Sequence, residues 1–100
     1  MVDMNKLENI RPGEVLKTEF LDVFGISAYK LSKDLNIPQT RISQIIKGKR
    51  SVTADTALRL SEYFGTTAQL WLGLQDDYDL EEEKTKINSE LKSITKYIAS

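Results

Sequence analysis

The chain has 100 residues, 40% of them apolar, carries 14 Lys and Arg against 15 Asp and Glu, and contains neither Cys nor His. That fits one small domain with a modest core, and it excludes disulfide stapling, Cys/His zinc sites and catalysis by His or Cys, so no metal or cofactor is expected. No apolar run approaches the ~20 residues of a membrane span and the N-terminus lacks a signal-peptide core, so the expected location is the cytoplasm, with no membrane partner.

Residues 1–9 show little periodicity and read as an arm. Arg11-Pro12-Gly13-Glu14 is a helix entry, with Pro near the first position and Glu14 favourable to the dipole. Leu16, Phe20, Val23 and Phe24 then form an apolar stripe that Gly25 ends. Ser27 is a good N-cap for a second helix, in which Ala28, Leu31 and Leu35 recur at helical spacing. Asn36-Ile37-Pro38 is a turn.

The third helix follows that turn and has two unlike faces. Ile42, Ile45 and Ile46 gather on one side, while Thr40, Gln44 and Lys47 lie opposite, with Arg41 and Ser43 on the flanks. Gly48 suits the stop as a left-handed C′ residue, and Lys49 and Arg50 come directly after it. Short hydrogen-bonding side chains followed by cations are the chemistry of a helix that reads base edges while its ends grip phosphates.

Ser51-Val52 is a connector, and Thr53 caps a fourth helix with Ala57, Leu60 and Phe64 inward and Gly65 as its stop. Thr66 or Thr67 caps a fifth, with Leu70, Trp71, Leu74 and Tyr78 on its apolar side. Trp71 at this spacing is a core residue first and a dimer-interface residue second, because Trp is favoured in interfaces. If the chain is a dimer, helix five contributes through Leu72 or Trp71. With no strand-like alternation, the expected fold is all-α, five helices over 10–79, extended by a C-terminal helix over 80–100. Asp76, Asp77, Asp79, Glu81, Glu82 and Glu83 form an acidic block across its start, and Leu80, Ile87, Leu91, Ile94 and Ile98 fall on a heptad-like seam that Lys84 interrupts. The spacing predicts one helix from about Leu80 to Ile98 that packs on the domain or on a second subunit, with an acidic face for a basic partner. The acidic pairs are a solvated face rather than a metal or catalytic site, since adjacent helix positions point apart.

Charge is unevenly placed along the chain. The net value is −1, yet between Ser27 and Arg50 the cations Lys30, Lys33, Arg41, Lys47, Lys49 and Arg50 meet Asp34 alone, a local +5 that leaves −6 elsewhere. A basic segment on an acidic chain marks a local anion-binding face.

Two short helices joined by a tight turn describe a helix-turn-helix. The blocks Ile10–Leu16, Ile37–Arg50, Thr53–Leu60, Phe64–Thr67 and Leu70–Gln75, ending near Tyr78-Asp79-Leu80, resemble the HigA-type antitoxins, in the helix-turn-helix class that includes the lambdoid phage repressors. The resemblance covers about residues 10–80; the acidic extension is not part of it. It implies a five-helix, phage-repressor-like domain that dimerises on a palindromic operator in its own promoter. It also implies neutralisation of a cognate RelE-like, mRNA-cleaving toxin. By motif position, Gln39, Thr40 and Gln44 resemble the base readers, with Arg41, Ser43 and Lys47 at their edges. Ser27, Ala28, Lys49, Arg50 and Ser51 resemble phosphate contacts. No catalysis and no small-molecule substrate are implied. A stand-alone phage-repressor-like regulator, or a protein-interaction module with a vestigial helix-turn-helix, are the alternative readings.

Overall fold

The computed structural model describes residues 9–99; of the expected arm only Asn9 falls within them, and residues 1–8 and 100 lie outside. Six helices and their connections make up the described residues, with no strand among them.

Helix α1 begins at Pro12–Val15, continues through a π-helical stretch Leu16–Leu21 and closes with Asp22–Phe24. The π-turn shows in the Asp22 N–H, which bonds to the Lys17 carbonyl five residues back. That extra residue rotates everything after it. Leu16 and Leu21 are therefore the buried pair, whereas Val23 and Phe24, expected inward, are 64% and 58% exposed. A strict 3.6-residue period misplaces them because it assumes an unbroken α-helix.

Helix α2 spans Ala28–Leu35 and starts where the Ser27 hydroxyl accepts the Lys30 N–H at 3.0 Å. It ends in a Schellman turn: Asn36 adopts φ +59°, its N–H bonds to the Lys33 carbonyl, and the Ile37 N–H bonds to that of Ser32. Helix α3, Gln39–Ile46, comes after Pro38 and ends the same way, with Gly48 at φ +77° and the Lys49 N–H bonded to the Gln44 carbonyl at 2.8 Å. Helix α4, Ala54–Phe64, is capped by the Thr53 side chain. Helix α5, Ala68–Lys86, is capped by Thr67.

Leu16, Leu21, Leu31, Leu35, Ile37, Ile42, Ile45, Val52, Ala57, Leu60 and Trp71 form one buried cluster. Every helix of α1–α5 contributes, so the helix-turn-helix is held by three other helices rather than by itself. Trp71 lies at its centre, with its ring 4.9 Å from Phe20 and its Nε1–H donated to Thr66 Oγ1 at 2.8 Å. It is 0% exposed. The expected dimer contact by Trp71 is therefore corrected: the protomer's own core consumes the whole ring. Leu70, expected inward, is exposed instead.

The C-terminal extension also departs from expectation. Helix α5 runs unbroken across residues 79 and 80, because Gln75 to Lys86 contains no Gly or Pro and is rich in helix formers. It breaks at Ile87, at φ −111° and ψ 21°, and a short α6, Asn88–Lys92, comes next. Residues 94–99 are not helical. The additional helix exists, but the single helix from Leu80 to Ile98 does not, and its seam is not buried on the domain.

Helices α1 and α3 meet at Gly13, where an added Cβ would lie 2.0 Å from the Ile45 carbonyl oxygen. Gly13→Ala should thus force two backbones apart and destabilise the domain by about 1–3 kcal/mol or more. Gly73, in the middle of α5, has nothing within 4 Å of such a Cβ, and Gly73→Ala should stabilise by up to about 1 kcal/mol. Thermal unfolding of the two variants checks both signs; equal melting temperatures would refute the close contact.

Candidate nucleic-acid interface

Burial of Ile42 and Ile45 against the core fixes the rotation of α3 about its axis. Gln39, Thr40, Gln44 and Lys47 are consequently exposed, and Arg41 and Ser43 are half-buried at the margins. Lys49, Arg50 and Ser51 sit beyond them on an exposed connector. Ser27 is exposed and Ala28 half-buried at the start of α2, a helix N-terminus where backbone N–H groups and dipole favour a phosphate. The Ser27 hydroxyl itself is engaged in its cap.

Three side chains hold this surface in place. The first is Gln75, a polar residue buried on α5. Its Oε1 accepts the Val52 N–H at 2.8 Å and its Nε2–H donates to Asp79 Oδ1 at 2.9 Å, which ties the connector carrying Lys49 to Ser51 onto α5. The second is Arg11. Its stem lies over Gly48, where a Cβ would come within 2.4 Å of Arg11 Cδ, and its Nη2–H points at the Ile46 carbonyl at 3.5 Å. A cleft of about 120 Å³ places it beside Lys49, Arg50 and Ser51.

The third is Asp55. Its Oδ1 pairs with Arg59 Nε at 2.8 Å and with Arg41 Nη1 at 3.2 Å. The Arg59 hydrogen bond, with the Arg59 and Arg41 charges behind it, holds the Asp55 carboxyl below the usual carboxylate range. Arg59 in turn donates from Nη1 to the Leu35 carbonyl at 2.8 Å, closing the end of α2. Arg41, expected at the DNA surface, is thus leashed to α4. Only the i, i+4 spacing of Asp55 and Arg59 could have been noticed in the sequence; the reach from Arg41 is tertiary.

Among the described residues Lys33, Lys47, Lys49 and Arg50 have no ion-pair partner, while Lys30 is paired with Asp34 at 3.0 Å. Tyr63 also donates its hydroxyl to Asp34 at 2.6 Å, and this bond, then that from Lys30, lowers the Asp34 pKa. Of the cations between Ser27 and Arg50, those left over are at the end of α3 and just beyond it, with Lys33 on α2.

A helix-turn-helix family model matches residues 24–71, the stretch from the end of α1 into α5. Virulence-associated protein I of Dichelobacter nodosus is 47% identical over 87 residues, covering 84% of this chain and 81% of its own length. A solved addiction-module antidote protein of a HigA family from Coxiella burnetii is 44% identical, with a TM-score of 0.85 over 91% of this chain and all of that one. The chain belongs to the HigA family of helix-turn-helix proteins. A Pseudomonas aeruginosa antitoxin HigA, solved with the higBA promoter, superposes with a TM-score of 0.87 at 34% identity, again over 91% of this chain and all of that one. HigA relatives are helix-turn-helix regulators, not an enzyme family, and among the described residues no helix is long and apolar enough to cross a membrane.

In this HigA-family chain, Asp55→Asn should release Arg41 toward bound DNA. Affinity for unrelated duplex should rise at low salt, and the log–log salt dependence should steepen by about one unit. Adding Arg41→Ala should abolish the gain. Filter binding across a salt series decides it, and an unchanged slope would mean that Arg41 has no phosphate in reach.

Proposed function

We propose that the chain is an antitoxin that represses its own promoter and neutralises a RelE-like, mRNA-cleaving toxin in the cytoplasm. The observation that carries the DNA half is the exposed Gln39-Thr40-Gln44 face of α3, bordered by Lys47, Lys49 and Arg50, none of which has an ion-pair partner among the described residues. Amide and hydroxyl side chains match base edges in the major groove, with Gln suited to adenine, and the cations match phosphates on either side. The relative solved with its promoter supports the same assignment here. Ser43 and Arg41, at the margins, take base or phosphate contacts; Ser27, Ala28 and Ser51 take the backbone.

The protein acts as a homodimer on an inverted repeat whose half-sites lie about one helical turn apart, roughly 34–36 Å. Of the two expected contacts, Leu72, half-buried on α5, is the one that remains for a partner once Trp71 is assigned to the core. The toxin half rests on the family relation, and co-expression with the neighbouring gene product followed by a pull-down tests it. Operator binding without any captured partner would make the protein a stand-alone regulator. Capture without DNA binding would make it an interaction module.

Gln44→Ala should cost about 1–3 kcal/mol on the operator and much less on random duplex. Lys49→Ala should weaken binding to both equally and lower the salt slope by about one. Titrations against the two duplexes compare them directly, and equal losses for Gln44→Ala would remove it from base reading.

A further inference from the structure

Arg11 precedes the stretch that the helix-turn-helix family model matches, yet the fold carries it to the cations that follow α3. The cleft of about 120 Å³ brings its side chain together with Lys49, Arg50 and Ser51. Its donors are poorly used. Nη1 pairs with Glu14 at 3.1 Å, and Nη2 reaches the Ile46 carbonyl only at 3.5 Å, the outer limit of a hydrogen bond. The buried Nε has no acceptor among the described residues. A guanidinium offers five N–H donors in a planar fork, so this one has capacity to spare.

Glu14 shows where an anion sits on that fork. The two side chains are 34% and 42% exposed, and an ion pair so open to water holds weakly. A Glu side chain can turn into solvent while the backbone stays still. Doing so leaves Arg11 Nη1 open beside Lys49 and Arg50, neither of which has an ion-pair partner among the described residues. The other carboxylate at the cleft, Asp79, is engaged by Gln75 Nε2 at 2.9 Å. A phosphate meets the arginine fork as a carboxylate does, and its remaining oxygens can face the neighbouring cations. We propose that a DNA backbone phosphate displaces Glu14 from Arg11, so that α1 joins the connector after α3 in gripping the strand. The Arg11 stem stays on Gly48, and only the Glu14 side chain moves. The proposal rests on the operator-binding reading and adds a contact from outside the helix-turn-helix, with the carboxylate that competes for it.

Filter binding of full-length variants across a salt series tests it, with circular dichroism melts as the check on folding. Arg11→Ala should weaken binding to operator and random duplex alike and lower the log–log salt slope by about one. Its deficit should therefore shrink about threefold as salt rises from about 50 to about 200 mM. Arg11→Lys keeps the charge but not the planar fork, and should restore the slope; a residue that only braces α3 would fail as Lys. Glu14→Gln should raise affinity for both duplexes roughly threefold at low salt, and should change nothing once Arg11→Ala is present. An unchanged slope for Arg11→Ala, with Lys49→Ala still lowering it, overturns the proposal and leaves the DNA reading intact. An equal gain from Glu14→Gln with and without Arg11 also overturns it, because the effect is then one of bulk charge. If Arg11→Ala does not fold, Glu14→Gln decides alone, and the absence of any gain refutes the exchange. Inorganic phosphate that raises the melting temperature of the parent but not of Arg11→Ala, with equal salt slopes, would assign the cleft to a free anion instead. A parent that binds neither duplex removes this proposal and the DNA reading together.

Discussion

The contact between the start of α1 and the end of α3 governs the presentation of the exposed face of α3. At Gly13 the two backbones are so close that the Ile45 carbonyl occupies the space of a β-carbon. Burial of Ile42 and Ile45 sets the rotation of α3, but a row of apolar side chains alone lets a short helix slide or tilt. A carbonyl pressed on a glycine allows little of either. Arg11, two residues earlier, lies over Gly48 and reaches the Ile46 carbonyl, so one short sequence both seats the helix and closes its C-terminus. Gln75 then secures the connector after α3, through the Val52 N–H. A Gln buried with its amide oxygen and nitrogen both bonded gives a fixed register between connector and α5.

Arginine and lysine divide the labour on this surface. Arg59 and Arg11 donate to the last carbonyls of α2 and α3, each at the negative end of a helix dipole, and Arg41 is tied to Asp55. The planar fork of Arg can satisfy a carboxylate and a carbonyl together, as Arg59 does here. Lys47 and Lys49 are left as flexible, exposed charges, with Arg50 beside them. The +5 segment is therefore smaller in effect than its net charge suggests, since Arg41 is tied to Asp55 outside it, while the Lys30–Asp34 pair is already counted in that sum.

Helix α5 joins two environments. Its first half is built into the core through Trp71 and Gln75, and its second half leaves the domain with Leu80 exposed. A helix extending beyond its own core keeps its shape from backbone bonds and helix-forming residues, and gains no tertiary packing. That explains both its break at Ile87 and the brevity of α6.

Local signals were readable without coordinates. Ser27 and Thr53 cap helices, as does Thr67, one of the two candidates offered, Gly25, Gly48 and Gly65 end them with positive φ, and the Ile stripe of α3 points inward, because each depends on neighbours within a turn. The exposed Gln39-Thr40-Gln44 face results from that stripe by simple geometry. What the tertiary structure decided was every relation between distant residues. The π-turn in α1 exchanged Leu21 for Val23 and Phe24, and the core absorbed Trp71 entirely. Gln75 and Asp55 acquired roles set by partners that lie 23 and 14 residues away, at Val52 and Arg41. Periodicity reports which way a residue faces on its own helix, whereas those roles depend on which helix stands opposite, and only the packed chain determines that.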